Sequence, residues 1–470
     1  MNPPDPPRSL SRAASAPAAP AARPSLARGE GLHVWDLAGR RYLDATSGAF
    51  CVNLGYARSD LVRAMADAAA RLPHARPSLF DSEEGAAYRA ALLSAAGPPF
   101  ARVVLTSSGS EAVDVAIKIA HCYQGAVRSG GMDAERRGVV ALRGHYHGAT
   151  LGALEATGWA PRRGPYDGLL GERPFGPPAT CARCFRSLLY PACGIACADA
   201  AISDAEAGGA AAFLSETIPA AGLAAAIPPP GWLARVRSRC DAAGLVWIAD
   251  EVLTGFGRAG DLFAWRRLAK RAALDGSRPD AAAVPDLVVF GKGAGAGYAA
   301  IGGVLMSERI VTSLDAAAAD GAAPFAHHQT HGGNPIACAV GRRVLAALET
   351  EQIFARVLER EAIYAEAFGA LRGHAGVFDV RGIGALWGVE IAGPGGRPFP
   401  RAHRIADRVR AACEERGVLV HATSGFMEDG GGDAAVVAPP LVAGESAIRE
   451  TAAALAAAIE EVAATSRGGT

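Results

Sequence analysis

Lysine is scarce in this chain. Of its 47 basic residues only Lys118, Lys270 and Lys292 are lysines, and the rest are arginine. The chain uses arginine where a plain positive charge suffices. A surviving lysine is therefore a candidate for chemistry that a guanidinium cannot do, above all attack on a carbonyl to form a Schiff base. Lys270 lies in the polar run R-R-L-A-K-R and Lys118 in a helix-like run, where either could be an ordinary surface charge. Lys292 differs. It stands in V-F-G-K-G-A-G-A-G-Y-A-A, directly after an apolar run and among four glycines.

A glycine-flanked lysine suggests a nucleotide phosphate loop, but the required G-x-x-x-x-G-K-[ST] fails twice. Asp286 stands where the first glycine is needed, and Gly293 where Ser or Thr is needed. What remains is a lysine at the end of a strand, with clearance for a bulky adduct. Desolvation or a neighbouring cation would lower its pKa and free the amine as a nucleophile.

Other strand ends carry complementary groups. In T-S-S-G-S-E-A, Ser108 and Glu111 form a capping box that opens a helix. The free N–H groups and positive dipole end of such a start suit a phosphate, and Gly109 allows close approach. In G-H-Y-H-G, Tyr146 can stack on a flat ligand. His145 and His147 could bind metal, but no carboxylate or third ligand lies nearby in sequence, so a metal is not expected there. Asp250 follows the apolar run L-V-W-I-A. A carboxylate there needs a positive partner, for which a protonated pyridine nitrogen would serve, or else it is a solvated helix cap. A phosphate site, a ring face, a carboxylate and a lysine together describe a site for pyridoxal 5'-phosphate.

These groups need a scaffold that gathers strand ends. Short apolar runs at 102–105, 138–142, 212–216, 245–249, 286–290 and 303–306 alternate with helix-like runs such as 111–122 and 232–243. That alternation predicts an α/β fold around a mostly parallel sheet, with ligands at the carboxyl ends of the strands. The predicted division is a disordered tail over 1–27, an N-terminal segment of a small domain over 28–75, a large cofactor-binding domain over 76–333, and a C-terminal small domain over 334–470. Two short strands around Ala38-Gly39 begin the ordered part, and a long helical stretch runs from Asn334 to about Leu371.

Composition bounds the partners. Acidic and basic residues balance at 47 each, so nothing electrostatic points to nucleic acid or an anionic membrane surface. No apolar stretch approaches the ~20 residues that span a bilayer. Nine cysteines in 470 residues, with no visible signal peptide, lead to a cytoplasmic expectation. Cys181, Cys184, Cys193 and Cys197 give C-x2-C-x8-C-x3-C inside an insertion at 178–200. The first pair has zinc spacing and the second departs from it. No metal is expected, a structural zinc being the lesser reading. A metal is not expected at the cluster His327, His328, His331 either.

In combination, S-G-S-E-A, H-Y-H-G, I-A-D-E-V-L-T-G-F-G-R-A-G, G-K-G-A-G-A-G-Y and Q-T-H-G-G-N-P-I-A-C-A resemble a class III aminotransferase of the fold-type I, pyridoxal-phosphate-dependent superfamily. The resemblance runs from about Gly31 to about Ile459. It implies a large domain with a mostly parallel sheet flanked by helices, and a smaller α+β domain built from both chain ends. It implies that Gly109 and Ser110, with help from Ser108, hold the phosphate, and that Tyr146 and Val252 enclose the ring. Asp250 would pair with the ring nitrogen, Glu216 would join the cofactor's hydrogen-bond network, and Lys292 would carry the cofactor. Thr330 would reach the phosphate of a neighbouring subunit, which implies a homodimer with shared active sites.

Two departures stand out, the first at a cofactor contact and the second at the substrate. Leu253 stands where many relatives have a glutamine that touches the ring's phenolic oxygen. Ala221 and Val436 stand where relatives that use α-ketoglutarate often pair a glutamate with an arginine. S-G-A-F-C-V-N-L-G resembles the ω-transaminase branch, with Phe50 as a pocket aromatic. The expected reaction moves an amino group from an amine or ω-amino acid to a small keto acid such as pyruvate. M-E-D-G-G-G-D lacks the arginine that this branch often uses for the acceptor's carboxylate. An aminomutase, decarboxylase or epimerase on the same cofactor, and a non-catalytic binding protein of this fold, stay open at this point.

Overall fold

The strands of the central sheet are apolar on both faces, as strands covered by helices on each side must be. The computed structural model describes residues 24–127, 136, 138–171, 173–207, 209–274, 283–322, 325–427 and 429–467. The chain opens with an antiparallel set, β1 (Leu26–Glu30), β2 (His33–Asp36) and β3 (Arg41–Asp44). The tail expected over 1–27 falls almost wholly outside the described residues, but its last two positions already belong to β1.

The central sheet follows: β4 (Phe100–Thr106), β5 (Val139–Leu142), β6 (Phe175–Gly176), β7 (Ala212–Glu216), β8 (Val246–Asp250), β9 (Leu287–Phe290) and β10 (Gly302–Ser307). Its spatial order is β4-β10-β9-β8-β7-β5-β6. Neighbours from β9 to β6 pair in parallel, and β10 runs antiparallel to both β9 and β4. β4 therefore points the same way as β9, so the carboxyl ends of β4, β5, β7, β8 and β9 lie along one edge. β10 had been expected as one more strand of a mostly parallel set. It reverses because only the short turn 291–301, too short for a crossover helix, joins it to β9.

The helix Gly109–Val127 buries Ala112, Val113, Val115, Ala116, Ile119 and Ala120 against the sheet. The helix Trp232–Ala243 ends on Gly244 in the left-handed conformation. After the sheet, Asn334 caps the helix Pro335–Thr350 by accepting from Ile336 N at 3.0 Å and Ala337 N at 3.2 Å. The long helical stretch expected from here is two helices. Gln352, at φ 52°, breaks it before Ile353–Gly369.

The C-terminal strands are β11 (Val377–Ile383), β12 (Leu386–Ile391), β13 (Val418–Leu419), β14 (His421–Ser424) and β15 (Asp433–Val437). Four of them form an antiparallel sheet, β11-β12-β15-β14, while β13 pairs in parallel with β3 and joins the two chain ends. No helix among the described residues is long and apolar enough to cross a membrane.

One guanidinium ties three distant segments. Arg258, from G-F-G-R-A-G, is fully buried. It donates to Asn53 Oδ1 at 2.8 Å, Ser47 Oγ at 3.2 Å, Ala385 O at 3.3 Å and Pro439 O. Asn53 Nδ2 donates in turn to Phe256 O at 3.0 Å. Burial lowers the Arg258 guanidinium to about 10, still charged at neutral pH. Arg258→Met is expected to lower unfolding free energy by about 3 kcal/mol, since four buried acceptors lose their donor. A urea unfolding curve that shifts by less than about 0.5 kcal/mol would refute this role.

Candidate active site

The common edge brings together groups far apart in the chain. Glu216 ends β7 and Asp250 ends β8, and the two are cross-strand partners in the register. Asp250 in turn pairs with Val289 of β9, which places Lys292 three residues beyond. Ser108 and Gly109 follow β4, and Tyr146 follows β5.

At the helix start the capping box forms with one variation. Ser108 Oγ accepts from Glu111 N at 3.3 Å, and the Glu111 carboxylate receives Ser107 N at 2.9 Å, one residue earlier than the usual reciprocal bond. Among the described residues the N–H groups of Gly109 and Ser110 donate to no protein acceptor. They are free for an anion. A Cβ on Gly109 would lie 2.6 Å from Val252 Cγ1, so only glycine fits between that valine and the loop. Ser110 Oγ is already engaged, accepting from Ala149 N at 3.0 Å. An accepting hydroxyl can still donate, so an anion can be met by the Ser110 hydroxyl as well as by its backbone N–H.

Asp250 is 4% exposed. Its Oδ1 accepts from Val252 N at 2.9 Å, and its Oδ2 lies 2.7 Å from His147 Nδ1. The carboxylate caps the local turn but is buried, so the solvated-cap reading fails. His147 Nε2 is buried with no partner. His145 Nδ1 accepts from Glu216 N at 3.0 Å, so its proton sits on Nε2. Burial, with His147 adding a smaller effect, holds the His145 imidazole well below its usual pKa and neutral. Glu216 Oε2 accepts from Tyr146 N at 2.8 Å. Burial first, and then the Asp250 charge, push the Glu216 carboxyl upward.

Lys292 lies at φ 37°, a left-handed conformation unusual for a residue with a side chain. Among the described residues its amine has no hydrogen-bond partner, and it sits 5.9 Å from the Phe50 ring centroid. Burial lowers its pKa, while Asp250 and Glu216 partly oppose that shift. The other two lysines have partners: Lys270 meets Asp261 at 2.5 Å and Lys118 meets His327 at 3.2 Å. Scarcity plus isolation singles out Lys292.

Tyr146 is half-buried and stands edge-on to Trp159 at 6.3 Å. Phe50 is buried and edge-on to His421 at 5.1 Å. Among the described residues no contact brings Thr330 to this edge; it lies exposed in a turn. The four insertion cysteines carry free thiols, and no group of three or more metal-binding side chains meets among the described residues. Sequence reasoning passed over the partnerships of His145 and His147, and missed Trp159 and His421 entirely. Position beside Tyr146 was the available signal for His147; nothing local marked the other two.

The orphan N–H pair, the unpartnered amine and the buried carboxylate fit a phosphorylated aromatic aldehyde: they suit an anion at one end and a carbonyl at the other. The sequence model of the family described as aminotransferase class-III matches residues 15–459. An omega-aminotransferase of Caulobacter vibrioides is 31% identical over 86% of each chain. An acetylornithine aminotransferase of Xylella fastidiosa is 34% identical over 84% of each. An (S)-enantioselective omega-transaminase from Thermomicrobium roseum superposes with a TM-score of 0.80 at 29% identity, over 94% of this chain and 93% of that one.

A carboxyl whose pKa rises on folding keeps its proton in the fold where the unfolded chain has lost it. Its stabilising contribution is complete in acid and is lost as pH rises from the ordinary carboxylate range through the folded value. Glu216→Gln, which keeps an acceptor for Tyr146 N, should therefore flatten that decline in the cofactor-free protein. Between pH 5 and pH 9 the variant is expected to lose on the order of 2 kcal/mol less stability than the parent chain. Parallel unfolding profiles would show that Glu216 ionises normally.

Proposed function

The chain belongs to the class III aminotransferase family, and on that premise we propose that it moves an amino group from an amine or ω-amino acid to a small keto acid such as pyruvate. Pyridoxal 5'-phosphate is the cofactor proposed for the site. When bound, it supplies an aldehyde that joins an amine and a ring that accepts the electron pair left when a proton leaves the substrate carbon. The rest of the work falls to the chain's own residues.

Gly109 N and Ser110 N hold the phosphate, with Ser108 fixing the helix start behind them. Tyr146 and Val252 enclose the ring. Asp250, oriented by His147, sets its carboxylate against the ring nitrogen, and Glu216 stands in the adjoining hydrogen-bond network. Lys292 would hold the group through its aldehyde, and its Nζ, when free and uncharged, is the base placed to move the proton at the substrate carbon that bears nitrogen. Burial lowers the pKa of that amine, which favours its uncharged, basic form.

The observation that carries this reading is Lys292 itself: the one lysine without a partner among the described residues, half-buried at the edge that also presents Asp250. The substrate side rests on two buried apolar residues. Ala221 and Val436 leave no charged pair where a second substrate carboxylate would need one. The reading includes a homodimer in which Thr330, exposed in this chain, would serve a neighbouring subunit's phosphate, and that exposure supports it.

Lys292→Ala is expected to abolish turnover and the near-visible absorbance of bound cofactor together. Adding an amine to the parent enzyme should shift that absorbance to the pyridoxamine phosphate form, and adding pyruvate should restore it. Loss of the carboxyl group as carbon dioxide, or an absorbance that pyruvate does not restore, would instead point to another reaction on the same cofactor. Gly109→Ala must displace Val252 and should raise the cofactor dissociation constant about tenfold, read by dialysis and absorbance. Unchanged retention would remove Gly109 from the phosphate site.

A further inference from the structure

We propose that Arg162 binds the carboxylate of amino acid donors and keto acid acceptors, the group for which the site otherwise has no cation. The inference rests on the transamination reading above. It begins with two adjacent arginines in W-A-P-R-R that have opposite fates. Arg163 turns inward and donates to Glu155 O at 2.6 Å, Leu154 O at 3.2 Å and Thr157 O at 3.4 Å. Its guanidinium is consumed by the fold.

Arg162 is exposed, and among the described residues its side chain has no carboxylate, carbonyl or hydroxyl partner. It is nonetheless placed. Its guanidinium carbon lies 4.9 Å from the centroid of the Trp159 ring. That ring is a fixed platform: Trp159 is 3% exposed, its Nε1 donates to Ser424 O at 3.0 Å, and it stands edge-on to Tyr146. A stacked arginine loses less freedom on gripping a carboxylate than one that ranges through solvent, and its planar fork suits two oxygens.

The surroundings point the same way. The positive charge of Arg162 is felt at the Tyr146 hydroxyl and at the His421 ring. His421 is edge-on to Phe50, and Phe50 faces the Lys292 amine. Arg162 thus joins a chain of contacts that runs through Trp159 to Tyr146, and its charge reaches His421, which meets Phe50 beside Lys292. Burial, with Arg162 and Lys292 adding to it, lowers His421 to about 4, so it is neutral and does not compete for an anion. The Asp250 carboxylate disfavours a second anion beside it, so a substrate that sets its nitrogen at Lys292 is better served with its own carboxylate toward Arg162.

The test uses the cofactor-loaded full chain, with Arg162→Gln and Arg162→Lys beside the parent. Absorbance titration gives the apparent dissociation constant and the limiting rate of the donor half-reaction for β-alanine and for benzylamine, which has no carboxylate. The reverse half-reaction is titrated with pyruvate. Arg162→Gln is expected to raise the constants for β-alanine and pyruvate about tenfold and leave benzylamine within about twofold, with Arg162→Lys in between. Equal weakening of both donors would mark a structural role and overturn the proposal. So would unchanged constants for β-alanine and pyruvate. If the parent enzyme converts neither donor, the transamination reading itself fails and takes this inference with it.

Discussion

Desolvated charge is the constraint around which this molecule is arranged. Asp250, Glu216 and Lys292 all lie at the carboxyl edge of one sheet, with little water to support their ionised forms. An isolated buried charge costs far more than the fold's net stability can absorb, so each group must be paired, hydrogen-bonded or neutral. Asp250 receives His147 and a backbone N–H. Glu216 holds Tyr146 N and shifts toward its protonated form. Lys292 shifts toward its neutral form. The last of these turns an ordinary ammonium into a usable base and nucleophile, so the demands of burial and of chemistry coincide.

The rest of the fold serves that edge. Parallel pairing from β9 to β6 aligns the strand ends, and antiparallel β10 lets β4 point the same way, bringing the helix start at Ser108 alongside Lys292. The contact of Gly291 with Gly109 and Val252 closes the gap between the two loops, with no room for a side chain. Arg258 then anchors both chain ends to the loop after β8. Glu251, next to Asp250, is pushed up to about 7 by burial, yet it is satisfied by Thr217, Thr254, Ala264 N and Trp265 N. It illustrates the structural use of a buried carboxyl one residue from a functional candidate.

Much of this was legible in the sequence because strand ends announce themselves. An apolar run that stops at Asp250, at Glu216 or just before Lys292 gives both the strand and the polar group at its tip. The helix Trp232–Ala243 was readable residue for residue, since its pattern is amphipathic and a glycine follows. What was not legible depends on long-range register. His147 meets Asp250 across 103 positions, and Trp159 meets Ser424 across 265. No local pattern encodes either contact. The break at Gln352 was hidden for a different reason: neither glycine nor proline marks it, and the packing of the two helices decides it. The direction of β10 was hidden because an apolar strand reads the same both ways.

The central claim is that one lysine of three carries the cofactor. Borohydride treatment of the cofactor-loaded enzyme, followed by digestion and mass mapping of the pyridoxyl label, tests it directly. The account predicts the label on the peptide bearing Lys292 and none on those bearing Lys118 or Lys270. A label on either of the other two, or an enzyme that retains cofactor and turnover without any label on Lys292, would contradict it.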